Sequence, residues 1–117
     1  MSIKQADKLH ADVIKARDKR CVRCLSMEDL DPAHYVPRRY FNTRYDERNA
    51  ALLCRYWCHR YLTDHPEEHE KFFVDLLTKE VTVELWIKAN NMAITFKSWY
   101  GSKEHVKELR KRRMELQ

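Results

Sequence analysis

Four cysteines in two close pairs, Cys21-Val-Arg-Cys24 and Cys54-Arg-Tyr-Trp-Cys58, are the residues of this chain whose type and spacing most directly specify chemistry. In a Cys-x2-Cys turn the backbone amides point at the thiolates and both sulfurs reach one metal. Zinc takes four such ligands at tetrahedral corners, commonly as two knuckles on separate elements. One zinc on all four cysteines would clamp the segment at Cys21 to the segment at Cys54, with folding free energy of roughly 10–16 kcal/mol, the range for zinc-finger peptides. The second pair is Cys-x3-Cys, because Trp57 adds a residue, and the neighbouring His59 is an alternative fourth ligand. An all-cysteine site is the expectation, since His59 has a better use. Two disulfides are the competing pattern, suited to a secreted domain; reduced thiols in close pairs favour metal.

Between the knuckles lie His34 and Asn49, and His59 directly follows the last cysteine. With the elements expected below, this is a histidine on a strand, an asparagine in a loop and a histidine on a helix. The stretches Cys21-Val-Arg-Cys24, Ala33-His34-Tyr35-Val36-Pro37-Arg38, Arg48-Asn49-Ala-Ala-Leu-Leu-Cys54 and Cys58-His59 resemble the HNH, or ββα-metal (His-Me finger), endonuclease family. Val13-Ile-Lys-Ala-Arg-Asp18, Thr43-Arg-Tyr-Asp-Glu-Arg-Asn49 and Leu62-Thr-Asp64 are similar in type and order to the NinG (Rap) family of lambdoid phage recombination proteins. The resemblance covers most of the chain and is loose after residue 80. It implies a metal-dependent DNA endonuclease acting on branched or recombination-intermediate DNA. It also implies that Asn49 holds its loop by side-chain hydrogen bonds and orients the base.

The chemistry of phosphodiester hydrolysis fits these residue types. A base must deprotonate water, and a divalent cation must stabilise charge on the phosphate and the leaving oxygen. A neutral imidazole on a rigid strand suits the first role, assigned to His34. A ligand projecting from the start of a helix opposite that strand suits the second, so His59 is expected to hold Mg2+ or Mn2+.

Many HNH nucleases carry aspartate directly before the base histidine as a second metal ligand; here that position is Ala33. Asp31, three residues before His34, matches the D-x-G-H pattern of non-specific ββα nucleases. It is a weak ligand, a support for the hairpin or a turn residue before Pro32, and an inactive homologue is an open alternative. His65 and His69, at i,i+4 spacing, have a separation that could bind metal but are expected on an exposed helix surface, and no role is given to His10 or His105.

The formal net charge of +5 is unevenly spread. Arg38, Arg39, Arg44 and Arg48 surround the candidate site, and Lys107, Arg110, Lys111, Arg112 and Arg113 crowd the last helix. Guanidinium forks match phosphate oxygens, and each neutralised phosphate releases counterions, so both clusters are expected to contact DNA. Tyr40 and Phe41 are candidates for stacking on bases or for core packing. Two rival readings use the same features. One is a non-catalytic zinc-stapled nucleic-acid-binding module, and the other a protein-interaction adaptor presenting the helices after residue 65.

Positioning these residues requires an α+β fold in one domain over residues 1–117, a zinc-stapled ββα core with helical extensions. Residues 2–20 carry Ile3, Ala6, Leu9, Val13 and Ile14 at near-helical spacing behind Ser2 as cap. The core, 21–62, contains a strand near 33–36, an arginine-rich loop, a strand near 50–53 and a helix from Cys54 to about Leu62. Ala50-Ala-Leu-Leu53 is, on its own, ambiguous between strand and helix. The extension, 63–117, starts with Asp64 as cap, Glu67 closing a capping box and Pro66 in the first turn. Helices to about Lys79 and over 80–91 follow, then a basic helix over 103–115 capped by Ser102. With 44% hydrophobic residues the chain is too apolar for disorder, while no signal peptide or membrane span is evident. The expected location is the cytoplasm, that of the bacterial host for a phage protein. A homodimer would suit two-fold DNA junctions.

Overall fold

The computed structural model describes residues 2–91 and 103–116. It is α+β: a two-stranded antiparallel sheet with six α-helices among the described residues. Helix α1 spans Ile3–Asp18, strand β1 Leu30–His34, α2 Phe41–Arg44, β2 Ala50–Cys54, α3 Arg60–Asp64, α4 Pro66–Leu77, α5 Lys79–Ala89 and α6 Lys103–Leu116. A 3-10 turn, Glu47–Asn49, leads into β2, and a π-helical turn, Arg55–His59, leads out of it.

Helix α1 starts at the expected cap. Ser2 Oγ accepts from the Gln5 amide at 3.1 Å, and Gln5 Oε1 accepts from the Ser2 amide at 2.8 Å, a reciprocal capping box. Its buried stripe is Ala6, Leu9, His10, Val13 and Ile14. It ends before residue 20 because Lys19 adopts φ 69° and caps onto the Lys15 carbonyl.

Strand β1 begins earlier than the expected 33–36 and runs through Pro32. The pairing explains why proline is tolerated. Pro32 lies opposite Leu52, whose N–H donates to Asp18 Oδ2 at 2.9 Å and whose carbonyl accepts from Val22 N at 2.9 Å. Both Leu52 groups therefore point away from β1, so the missing N–H of Pro32 leaves no gap in the ladder. Past His34, Tyr35 N–H still reaches the Asn49 carbonyl at 2.9 Å, but Val36 N–H is taken by the Asn49 side chain. That capture ends the strand.

The ambiguity of Ala50–Leu53 is resolved by burial on both faces. Ala51 and Leu53 join Leu62, Phe73 and Leu85 in the core beneath α3, α4 and α5, while Ala50 and Leu52 pack against Ile14 of α1. A strand covered on both sides has no polar face, so its sequence lacks alternation.

The start of α4 differs from expectation. Asp64 is the last residue of α3, and His65 precedes Pro66 at the helix start with no side-chain cap hydrogen bond. A residue already in helical conformation cannot take the extended geometry that a capping aspartate needs. Thr78, at φ 85°, separates α4 from α5, and its hydroxyl accepts from Val81 N at 3.4 Å. Helix α6 lies along α1: Arg112 pairs with Glu47 at 2.9 Å and Arg113 with Asp12 at 3.6 Å. Ser102, expected to cap α6, lies outside the described residues. Among the described residues no helix is long and apolar enough to cross a membrane.

Candidate metal centre and active-site cluster

The fold brings all four cysteine sulfurs within 4.8 Å of one another. Cys21, Cys54 and Cys58 are buried and Cys24 is exposed, and all four are free thiols. Cys24 Sγ and Cys54 Sγ are 3.6 Å apart. With a zinc–sulfur distance near 2.3 Å, the edge of a tetrahedron of four sulfurs is about 3.8 Å, so the cluster fits one tetrahedral ion such as zinc. The two knuckles differ in length yet make the same local bond. Cys24 N donates to Cys21 Sγ at 3.4 Å, and Cys58 N donates to Cys54 Sγ at 3.3 Å. The π turn absorbs the extra residue. Cys58 faces the cluster, while Tyr56 and Trp57 are turned to solvent.

The thiols have unequal surroundings. Burial pushes Cys21 up, but the amides of Cys24, Cys54 and Arg23 outweigh it and bring the group down to about 7. Burial pushes Cys58 up to about 12, although Arg23 Nη1 donates to its sulfur at 3.3 Å.

Beside the end of β1, an open pocket of about 710 Å³ is lined by His10, His34, His59, His69, Asp31 and Arg38, among others. His34, at the end of β1, has Nε2 at 2.9 Å from the Arg44 carbonyl oxygen. A carbonyl only accepts, so Nε2 carries the proton and Nδ1 keeps its lone pair. Among the described residues the one buried side-chain nitrogen or oxygen without a partner is His10 Nε2, on the ring that stacks on His34. Burial holds His34 down to about 4, with Arg38 and Arg44 acting in the same sense against the Arg44 carbonyl and Asp7.

Asn49 is fully buried and ties the loop that supplies that carbonyl. Its Oδ1 accepts from Val36 N at 2.8 Å, and its Nδ2 donates to the carbonyls of Val36 and Thr43, each at 3.1 Å. His59 ends the π turn, half-buried, with Nδ1 3.9 Å from Asp31 Oδ2. Both Asp31 oxygens also accept from Arg55, at 2.7 and 2.8 Å, and this guanidinium holds the carboxyl below its ordinary range. Among the described residues the four cysteines are the one group of three or more metal-ligating side chains; Asp31 and His59 form a pair.

Most of the arginines singled out for phosphate contact have carboxylate partners. Arg38 and Arg44 both bind Asp7, at 2.6 and 2.7 Å, and Tyr45 donates to the same carboxylate at 2.8 Å. Arg48 binds Asp46 and Glu84, each at 3.0 Å. Arg39 is exposed with its guanidinium over the Tyr40 ring at 5.0 Å. In α6, Arg112 and Arg113 face inward to Glu47 and Asp12, whereas Lys107, Arg110 and Lys111 are exposed. Tyr40 and Phe41 are both partly buried, Tyr40 with its ring 5.5 Å from that of Trp86.

Two histidines to which the sequence assigns no role belong to this pocket. His10 is buried, and its ring stacks on His34 at 5.3 Å. Its place was legible, since it falls four residues after Ala6 and four before Ile14 on the apolar stripe of α1. His69, expected on a solvent-facing surface, is half-buried against Tyr35 and Phe73, with Nε2 3.2 Å from the His34 carbonyl. Its contact on β1 is far away in sequence, and no local pattern marks it. Comparisons with protein-family models, curated proteins and solved structures find no match to this chain.

Proposed function

We propose that the chain is a metal-dependent DNA endonuclease of the HNH type, similar to the NinG-like recombination proteins, with zinc on Cys21, Cys24, Cys54 and Cys58 as a structural clamp. The observation that carries this reading is the hydrogen bond between His34 Nε2 and the Arg44 carbonyl, which leaves the lone pair on Nδ1 of a ring that lines the pocket. His34 Nδ1 takes the proton of an attacking water, and Asn49 keeps the ring aimed by holding the loop that carries the Arg44 carbonyl. A pKa near 4 makes the free imidazole neutral but weakly basic. A phosphodiester anion entering the pocket offsets the field of Arg38 and Arg44 and raises it toward the useful range. His59 with Asp31 would hold Mg2+ or Mn2+, which when bound would supply charge stabilisation on the phosphate and the leaving oxygen. Two protein groups suit a weakly held, largely water-coordinated ion. Branched DNA is the first substrate to examine.

Plasmid nicking with Mg2+ or Mn2+, wild type against His34→Ala, tests the assignment. Loss of nicking in a folded, zinc-loaded variant that still binds DNA is the expected result; equal activity removes His34 as base.

The second reading is a non-catalytic zinc-stapled module that binds nucleic acid. It is favoured by Arg55, which occupies both oxygens of Asp31 and competes with a cation there. DNA binding by wild type without cleavage in either metal would select it.

A further inference from the structure

The zinc-knuckle side of the molecule carries an exposed aromatic pair that the endonuclease reading leaves without a role. Tyr56 is 65% exposed and Trp57 is 74% exposed, side by side on the π turn between Cys54 and Cys58. Large aromatics that bury so little of their surface gain little for folding, and they mark contact sites when they cluster. Here the backbone beneath them is fixed at both ends, because Cys54 and Cys58 belong to one cluster and Cys58 N–H is bonded to Cys54 Sγ at 3.3 Å. A rigid pedestal lets an aromatic ring stack without losing much freedom.

The charges around this pair are unlike those beside His34. Arg38, Arg44 and Arg48 are engaged by Asp7, Asp46 and Glu84. Lys19, Arg20 and Arg23 around the first knuckle, and Arg60 after the second, are exposed and have no carboxylate partner among the described residues. Arg23 reaches across, its guanidinium 4.8 Å from the Tyr61 ring centroid and bonded to Cys58 Sγ. Glu28 and Asp29 are the carboxylates of this loop, at the end away from Arg20 in sequence. Arg55 lies 5.8 Å from the Tyr56 ring while gripping Asp31, and the Trp57 ring makes no such contact among the described residues. Exposed aromatics interleaved with guanidinium groups that no carboxylate neutralises are the combination that holds a single nucleic-acid strand, with bases on rings and phosphates on cations.

The geometry points to Trp57, supported by Tyr56, as a stacking platform for unpaired bases, with Arg23 and Arg60 on the adjoining phosphates. The platform rests on the nucleic-acid part of the proposed function and narrows its substrate to DNA with a single-stranded segment, such as a flap or an open branch.

Fluorescence anisotropy of the zinc-loaded protein with labelled oligothymidylate and with a blunt duplex, over a range of salt, tests this. Trp57→Ala is expected to weaken single-strand binding by roughly tenfold or more while duplex binding changes little, and Trp57→Phe is expected to restore most of it. Arg60→Ala is expected to lower the salt slope by about one. Unchanged single-strand affinity in a folded Trp57→Ala variant with full zinc content overturns the platform, and so does equal loss on both substrates. Neither result touches the endonuclease reading, which stands or falls on nicking by wild type against His34→Ala. Absence of salt-dependent binding to either oligonucleotide overturns both and leaves the aromatic pair to a protein partner.

Discussion

His34 Nε2 lies 2.9 Å from the backbone carbonyl oxygen of Arg44, so the candidate base is oriented by a loop and not by its own strand. The loop in turn hangs on Asn49, whose buried amide makes three hydrogen bonds to Val36 and Thr43. Asn49→Ala strands those backbone groups, and the expected loss is roughly 2–4 kcal/mol in chemical denaturation, from the cost of burying polar groups unpaired. Nicking should fall further than the folded fraction does, because the His34 ring loses its anchor. Normal specific activity per folded molecule would show that the loop does not orient the base.

Acid should destabilise the protein before its carboxylates titrate. His10 is held down to about 3, by burial first and then by His34 and Arg17 against its bond to the Asp46 backbone and the charge of Asp7. His34 is held down to about 4, and His69 is lowered by burial as well. A histidine whose folded value lies below its unfolded value near 6.5 favours the fold fully above 6.5. That contribution is lost as pH falls, because the unfolded chain takes up protons which the folded chain refuses. Urea midpoints should therefore drop steadily between about pH 6.5 and 4. The Asp7 and Asp46 carboxylates, both lowered and Asp46 to about 2, withdraw their share only below about 3.8. His10→Phe should flatten the upper window, and an unchanged slope there would exclude His10 as a source.

Metal removal should cost more than any side chain. The four sulfurs connect the turn after α1 to the end of β2, and Cys21, Cys54 and Cys58 are part of the main core. Chelation, or Cys58→Ser, should lower bound zinc in native mass spectrometry and abolish cooperative thermal unfolding. Retention of the same melting temperature after complete metal loss would mean that the thiols merely pack.

Asp7 and Arg38 should separate stability from binding. Asp7 receives Arg38, Arg44 and Tyr45 together and thereby fastens α1 to the loop beside the pocket. Asp7→Ala should cost roughly 1–3 kcal/mol, since Arg44 is left without its carboxylate in a poorly solvated position. Arg38 is half-exposed at the pocket rim, so Arg38→Ala should cost under about 1 kcal/mol while lowering the salt slope of DNA binding by about one. A stability loss as large as that of Asp7→Ala, with no change in salt slope, would make Arg38 a structural residue alone.

Features set by neighbours in the chain were legible before any coordinates. The Ser2 cap, the stripe of α1, the proline start of α4 and the two metal-ligand knuckles are each specified within a few residues, because caps, helical periodicity and chelate spacing are local properties. The entry of β1 at Leu30 was not legible, since Pro32 is acceptable only because Leu52 turns its polar groups toward Asp18 and Val22. Tertiary packing alone decided that His69 lines the pocket with His34, and that Arg38 and Arg44 spend their charge on Asp7. A guanidinium pairs with whichever carboxylate the fold carries to within reach. Composition counts the charges, but only the packed chain says which of them are left for a partner.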